Sequence, residues 1–188
     1  MPADPPPPRP SVWRRPAAML LRHSLAVAVL PFTVTVLAPW WIAQRCGVRL
    51  APGGSPGPLS LQAAGLALLL AGLALFAACL WRFASEGRGT LAPWDPPPVF
   101  VAGGPYRFVR NPMISGVTGV LFGEALILLS VPHLAWAASF LALNLGHIPL
   151  VEEPQLERRF GDSYREYRRH VRRFIPRLTP WHPGPAGR

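Results

Sequence analysis

The chain has 188 residues, of which half are hydrophobic and only 15% charged, a balance that leans toward a membrane protein with room for one compact domain. Its net charge of +10 comes from 19 basic residues that are all arginine, and beside 25 prolines this reads as a nucleotide-composition bias. No nucleic-acid fold signature accompanies that charge, which excludes nucleic acid and makes anionic lipid the expected partner of arginines flanking apolar segments. Cys46 and Cys79 lie in or beside apolar segments at no metal or redox spacing and read as packing residues; no metal site is expected.

The first ten residues are dense in proline and have no apolar face to bury, so a disordered leader is expected over 1–17. A first span follows from about Leu25 to Ile42, with Trp40 and Trp41 at one end like an interfacial belt. It is too long for a signal peptide, and no small-residue cleavage site follows it. Ala51–Pro58, rich in Pro and Gly, is a turn-forming connector. The second span, Leu59–Trp81, is nearly all Leu and Ala, and completes an N-terminal pair over 18–81. The third and fourth are Ile114–Val131 and Leu134–Val151, 18 residues each. At about 1.5 Å per residue each covers roughly 27 Å, just enough for a hydrocarbon core of about 30 Å.

Only Val131-Pro132-His133 separates the last two spans, so a tight antiparallel hairpin is predicted. Gly116, Gly119 and Gly123 share one face of the third span, with Gly119 and Gly123 at small-xxx-small spacing. Close helix contact is the ordinary reading of such a face, and a ligand groove the alternative. Orientation follows from the arginines: with four spans, seventeen fall on the side of both termini and only Arg45 and Arg49 on the other. The positive-inside rule predicts cytoplasmic termini, with the second loop and the tail on that same inner face of the cell membrane.

In the tail, Leu156, Phe160, Tyr164, Tyr167, Val171 and Phe174 recur at helical spacing among arginines, which predicts a basic amphipathic helix. It can lie on the inner membrane surface as a lid over the hairpin or as a plain anchor, and the two are compatible. The fold class is therefore all-α: a polytopic membrane bundle of four helices, with a C-terminal hairpin and a cytoplasmic amphipathic helix. Residues 82–178 form the functional region, and 179–188 a disordered end.

One set of residues carries chemistry. Pro112 suits the first turn of the third span and Asn111 is a competent N-cap, so free backbone N–H groups sit beside Arg107 and Arg110. Together they make an anion site. The plain reading is that these arginines only set topology. Glu152 and Glu153, at the exit of the fourth span, argue otherwise, because acids contribute little to topology and are costly near an interface without a partner. A positive helix end and a carboxylate pair suit the two charged ends of an amino-acid moiety.

The order of these pieces is Gly104-Pro105-Tyr106-Arg107, Arg110-Asn111-Pro112, a hairpin, Glu152-Glu153, and Phe160-Gly161-Asp162-Ser163-Tyr164-Arg165-Glu166-Tyr167. It resembles the isoprenylcysteine carboxyl methyltransferase and phospholipid methyltransferase superfamily of integral-membrane enzymes, over about residues 88–178. The resemblance implies S-adenosylmethionine as cofactor, held by Gly104, Pro105, Tyr106, Arg107, Arg110, Asn111, Pro112, Glu152, Glu153 and Tyr164. It implies Arg110 and Glu153 as catalytic, and a prenylated or lipid-like acceptor. Many relatives carry a tyrosine two residues after the proline, where this chain has Ile114, so any contact from that ring is lost.

The implied reaction is in-line displacement at a sulfonium, where alignment supplies most of the rate. An ionised carboxylate acceptor needs only positioning, whereas an amine needs a base such as a glutamate or His147. A carboxylate is favoured, because loop and tail arginines can pair with it. Glu124, near the middle of the third span, is expected to face the bundle in a structural polar contact, and His147 to hydrogen-bond between helices. His133 is expected in an outer turn with no chemical role. Two other readings keep the same architecture. A nicotinamide-binding reductase needs more phosphate-binding groups than two loop arginines, and no glycine-rich nucleotide loop is present. A non-enzymatic membrane interaction protein uses the arginines for topology alone. The sequence leaves the acceptor and the oligomeric state open.

Overall fold

The structure is a computed structural model that describes residues 28–50, 56–87 and 100–182. The proline-rich leader, most of the Ala51–Pro58 connector, residues 88–99 and the last six residues lie outside the described residues. All regular structure among the described residues is helical.

The first described segment, Ala28–Leu37, is wound in wide π-type turns and runs into α1 (Ala38–Cys46). Pro31 lies inside it and cannot donate a helix hydrogen bond, and Thr35 Oγ1 bonds the Pro31 carbonyl at 2.8 Å. Gly47 ends α1 in the left-handed region at φ 63°, with its N–H returned to Ala43. Next come α2 (Pro56–Arg82), α3 (Pro112–Ile127), α4 (Val131–His147), α5 (Glu153–Phe160) and α6 (Asp162–His170). Pro149 would break a regular helix between α4 and α5; a single wide stretch, Ile148–Glu152, absorbs its missing N–H, so the rod continues. Gly161, at φ 53°, separates α5 from α6.

Two stretches are long and apolar enough to cross a membrane, Gly57–Glu86 and Val131–Phe160, 30 residues each. Only 17% and 11% of their apolar windows are buried within the protein, so they are not the core helices of a soluble fold. Leu66, Leu70, Leu73, Leu143 and Leu145 all face outward, as hydrocarbon requires. α3 is apolar but has 16 residues, about 24 Å of helix.

The closest packing joins α2 and α3. A Cβ on Gly72 would come 2.6 Å from the Gly116 oxygen, and one on Gly123 would come 2.7 Å from the Gly65 oxygen. Residue number rises along α2 as it falls along α3, so the helices are antiparallel with their backbones touching at both crossings. The glycine face of the third span is thus a helix contact and not a ligand groove.

Several expectations need correction. The turn of the hairpin is Leu128-Leu129-Ser130, with Leu129 at φ 48°, and Val131 already belongs to α4. Ser130 caps α4 by accepting from the His133 N–H, which pulls His133 into the first turn. His133 is buried, not in an outer turn; its ring nitrogens meet Ser130 Oγ at 2.8 Å and the Pro39 carbonyl at 3.1 Å. Cys79 packs in the core as expected, whereas Cys46 is exposed. The amphipathic tail is two short helices broken at Gly161, and Phe174 lies beyond the second. Part of its apolar face packs within the protein: Tyr164, Tyr167 and Val171 are buried against Phe100, Ala102, Leu156, Phe160 and Trp181.

Candidate functional site

The site begins where the chain re-enters the bundle. Gly104 (φ 55°) opens a short 3₁₀ turn, Gly104–Arg107, where the Arg82 side chain crosses so closely that a Cβ would lie 2.6 Å from Arg82 Nε. Arg82 also pairs with Glu86, which lies against Gly103. Pro105 starts the turn, and Tyr106 drops into a core of Cys79 and Val101, with Phe83 edge-on at 5.7 Å. Burial, then the neighbouring Cys79, pushes the Tyr106 phenol well above its ordinary range, so it stays neutral. Gly104, Pro105 and Tyr106 therefore fix the loop on α2.

The tail then clamps this loop from the other side. Tyr167 donates to the Tyr106 carbonyl at 2.6 Å, and the Arg110 N–H donates to the Arg172 carbonyl at 2.9 Å. Arg177 donates to Phe108, and Trp181 to Arg107, both through backbone N–H groups at 2.9 Å. The Asn111 side chain donates to the Arg173 carbonyl at 3.1 Å and so does not cap α3; its own carbonyl accepts from Ser115. Asn111 stands at the N-cap position as expected but its side chain does not cap, because the Arg173 carbonyl holds the amide through Nδ2 and turns it toward the tail. Pro112 opens α3 as expected.

Arg110, Glu153, Arg173 and Tyr164 meet in this clamp. Glu153 is 5% exposed and takes a two-pronged contact from Arg173, Nε to Oε1 at 2.6 Å and Nη2 to Oε2 at 2.9 Å. Arg110 Nη1 lies 2.9 Å from the same Oε1. That approach is an ion pair without hydrogen-bond alignment, and Arg110 Nε and Nη1 are buried with no acceptor among the described residues. The Tyr164 phenol lies beside this pair; burial first, then the Glu153 charge, raises its pKa.

Arg107 takes a different part from the one its spacing suggested. Its Nε donates to the Trp181 carbonyl at 2.9 Å, while Nη2 is buried without an acceptor among the described residues. Glu152 is half-buried, takes no ion pair among the described residues, and interacts electrostatically with His147. His147 is exposed and makes no hydrogen bond between helices among the described residues. Ile114 is half-buried in the first turn of α3. Sequence reasoning missed Arg173, Tyr167 as a hydrogen-bond donor, and Trp181. No sequence signal singled out Arg173, since adjacent arginines also stand at Arg158-Arg159 and Arg168-Arg169.

Fold and site together define an all-helical membrane protein with a buried arginine–glutamate cluster where its hairpin meets its tail. A comparison with family models then matches phospholipid methyltransferase over residues 61–163, from within α2 to the start of α6 and across more than half of the chain. The chain belongs to the phospholipid methyltransferase family, within the superfamily of integral-membrane methyltransferases. Comparisons with curated proteins and with solved structures return no match.

Proposed function

We propose that the protein is an S-adenosylmethionine-dependent methyltransferase acting on a hydrophobic, membrane-partitioned acceptor at the inner face of the cell membrane. The family supports methyl transfer to a lipid-like molecule. The observation that carries the cofactor is the set of buried guanidinium N–H groups without acceptors among the described residues, Arg110 Nε and Arg107 Nη2. Burying such donors unpaired costs about 1–3 kcal/mol each or more, and a carboxylate supplies the missing acceptors. The chemistry of the set therefore fits an amino acid: Arg107 and Arg110 for its carboxylate, and Glu152, half-buried and without an ion pair among the described residues, for its ammonium. When bound, S-adenosylmethionine supplies an electrophilic methyl group on a sulfonium, whose leaving group is a neutral thioether.

The residues of the chain then have positioning work. Arg173 and Arg110 hold Glu153, and the tail clamp leaves Arg110 almost no access to water. A prenyl-type carboxylate acceptor suits this site, because it arrives ionised and the surplus guanidinium charge can orient it. A lipid amine is the second reading. The family's own substrate class favours it, and Glu152 with His147 nearby could take its proton. Four spans with both termini in the cytoplasm bring loop and tail to the same interface, where an acceptor can arrive sideways from the lipid.

The test is thermal unfolding of detergent-purified protein with S-adenosylmethionine or its demethylated product, since a ligand of the folded state must raise Tm. Both should raise it, and Arg110→Ala should abolish the rise. No shift at millimolar ligand refutes the cofactor. With labelled cofactor, a prenyl carboxylate should be methylated and its truncated polar head should not; labelling confined to an amine lipid transfers the assignment to the second reading.

A further inference from the structure

At the opposite end of α3 from the arginine cluster, a groove of about 350 Å³ opens between the first helical segment, α3 and the start of α4. Glu124 stands twelve residues beyond Pro112, about 18 Å along the helix, so a head group held there lies apart from the arginine cluster. Val36, Trp40, Leu69, Ile127 and His133 line the groove with Glu124. Two of its polar side chains are already committed. Thr35 bonds Pro31, and both ring nitrogens of His133 are taken by Ser130 and Pro39. Glu124 Oε2 is buried and has no hydrogen-bond partner among the described residues.

A buried carboxylate without a partner is costly unless something compensates it. The neighbours argue for what compensates it. His133 cannot, because its ring is spent on the hairpin cap. Trp40 is 60% exposed at the groove and offers an indole face, the side chain that best attracts an organic cation. The remaining wall is aliphatic, which suits a hydrocarbon chain and not a hydrated metal ion.

We propose that this groove binds an amphiphile with an ammonium head group, an amine lipid, its head between Glu124 and Trp40 and its chain along Val36, Leu69 and Ile127. It is a second, non-catalytic lipid site, and it stands independently of the cofactor reading. A site of this kind recognises amine lipids by charge and aromatic contact without transferring a group.

The experiment uses the full chain in a neutral maltoside detergent and follows tryptophan fluorescence. The probes are two chain-brominated amphiphiles of equal length, one with a trimethylammonium head and one with an uncharged head. The ammonium probe should quench saturably, at a concentration at least about tenfold below the neutral probe. Glu124→Gln keeps the side-chain shape and removes only the charge; it should erase that tenfold preference. Trp40→Phe should remove most of the saturable quenching. Equal quenching by both probes would mean ordinary detergent contact and would overturn the proposal. So would an unchanged ammonium preference in Glu124→Gln, or full quenching in Trp40→Phe.

Discussion

The antiparallel contact of α2 and α3 yields a prediction with a built-in control. Replacing Gly72 by Ala puts a methyl group 2.6 Å from the Gly116 oxygen and 2.8 Å from the Val120 nitrogen. Ordinary contact begins near 3.4 Å, so the helices must part by about 0.8 Å, and both obstructions are backbone that cannot rotate away. Overpacking of this kind costs about 1–3 kcal/mol, and the better helix propensity of Ala returns up to about 1 kcal/mol. A net loss of about 1–2 kcal/mol is expected. Gly119 sits on the same face, yet a Cβ there meets Gly72 Cα at 3.4 Å and the Leu68 oxygen at 3.5 Å, which is ordinary contact. Gly119→Ala should keep the propensity gain and be neutral or stabilising. Thermal unfolding of both variants in one detergent reads the difference, at about 2–4 °C per kcal/mol for a chain of this size. Equal effects at the two positions, or a neutral Gly72→Ala, would refute the backbone contact and with it the placement of α3.

Three further outcomes follow from the clamp and the membrane reading. Arg173→Gln removes the two-pronged contact to Glu153 while leaving Arg110 beside it, so cofactor affinity should fall severalfold, measured by titration, with Tm lowered by only a few degrees; unchanged affinity would make Arg173 a surface residue. The Tyr167 phenol is raised above its ordinary range chiefly by burial, so its neutral form belongs to the fold. Its contribution is complete below about pH 10 and is lost as pH climbs through the raised value; Tyr167→Phe should lower Tm at pH 8 and flatten the alkaline fall, which melting at pH 8 and pH 11 decides. Reporter fusions after residues 54 and 97 should report opposite sides of the membrane, and an outward signal from 97 would defeat the proposed topology.

The sequence carried the parts of this protein that depend on composition and local spacing. Apolar runs announce membrane helices, Pro112 announces the start of α3, and glycines at small-xxx-small spacing announce a tight crossing, because each signal acts within a few residues. What it carried poorly depends on distant chain. Asn111 has the side chain of a cap, but the carbonyl of Arg173, sixty-two residues away, accepts from its Nδ2 and turns the amide toward the tail. His133 looks like a turn residue until the Ser130 cap and the Pro39 carbonyl, ninety-four residues earlier, draw it inside. The tail shows a correct apolar period but an incorrect single helix, since Gly161 takes a left-handed conformation that periodicity cannot register.

The charge arithmetic of the cluster gives the tail a purpose beyond packing. Glu153 is shared by Arg110 and Arg173, whose side chains are 10% and 35% exposed, so this ion-paired group carries one positive charge more than Glu153 neutralises. Burying like charges is tolerated only where a counter-charge or water can reach them. The exposed edge of Arg173 gives water one route, but Arg110 has almost none. Any carboxylate that reaches Arg110 therefore strengthens the association of α3, α5 and the tail segment that carries Arg173. An anionic ligand and the docked tail must then favour each other, because each removes part of the cost the other would otherwise meet. Releasing the tail by Tyr167→Phe should weaken an amino-acid-bearing cofactor, and binding that cofactor should slow proteolysis at the tail arginines by a matching factor.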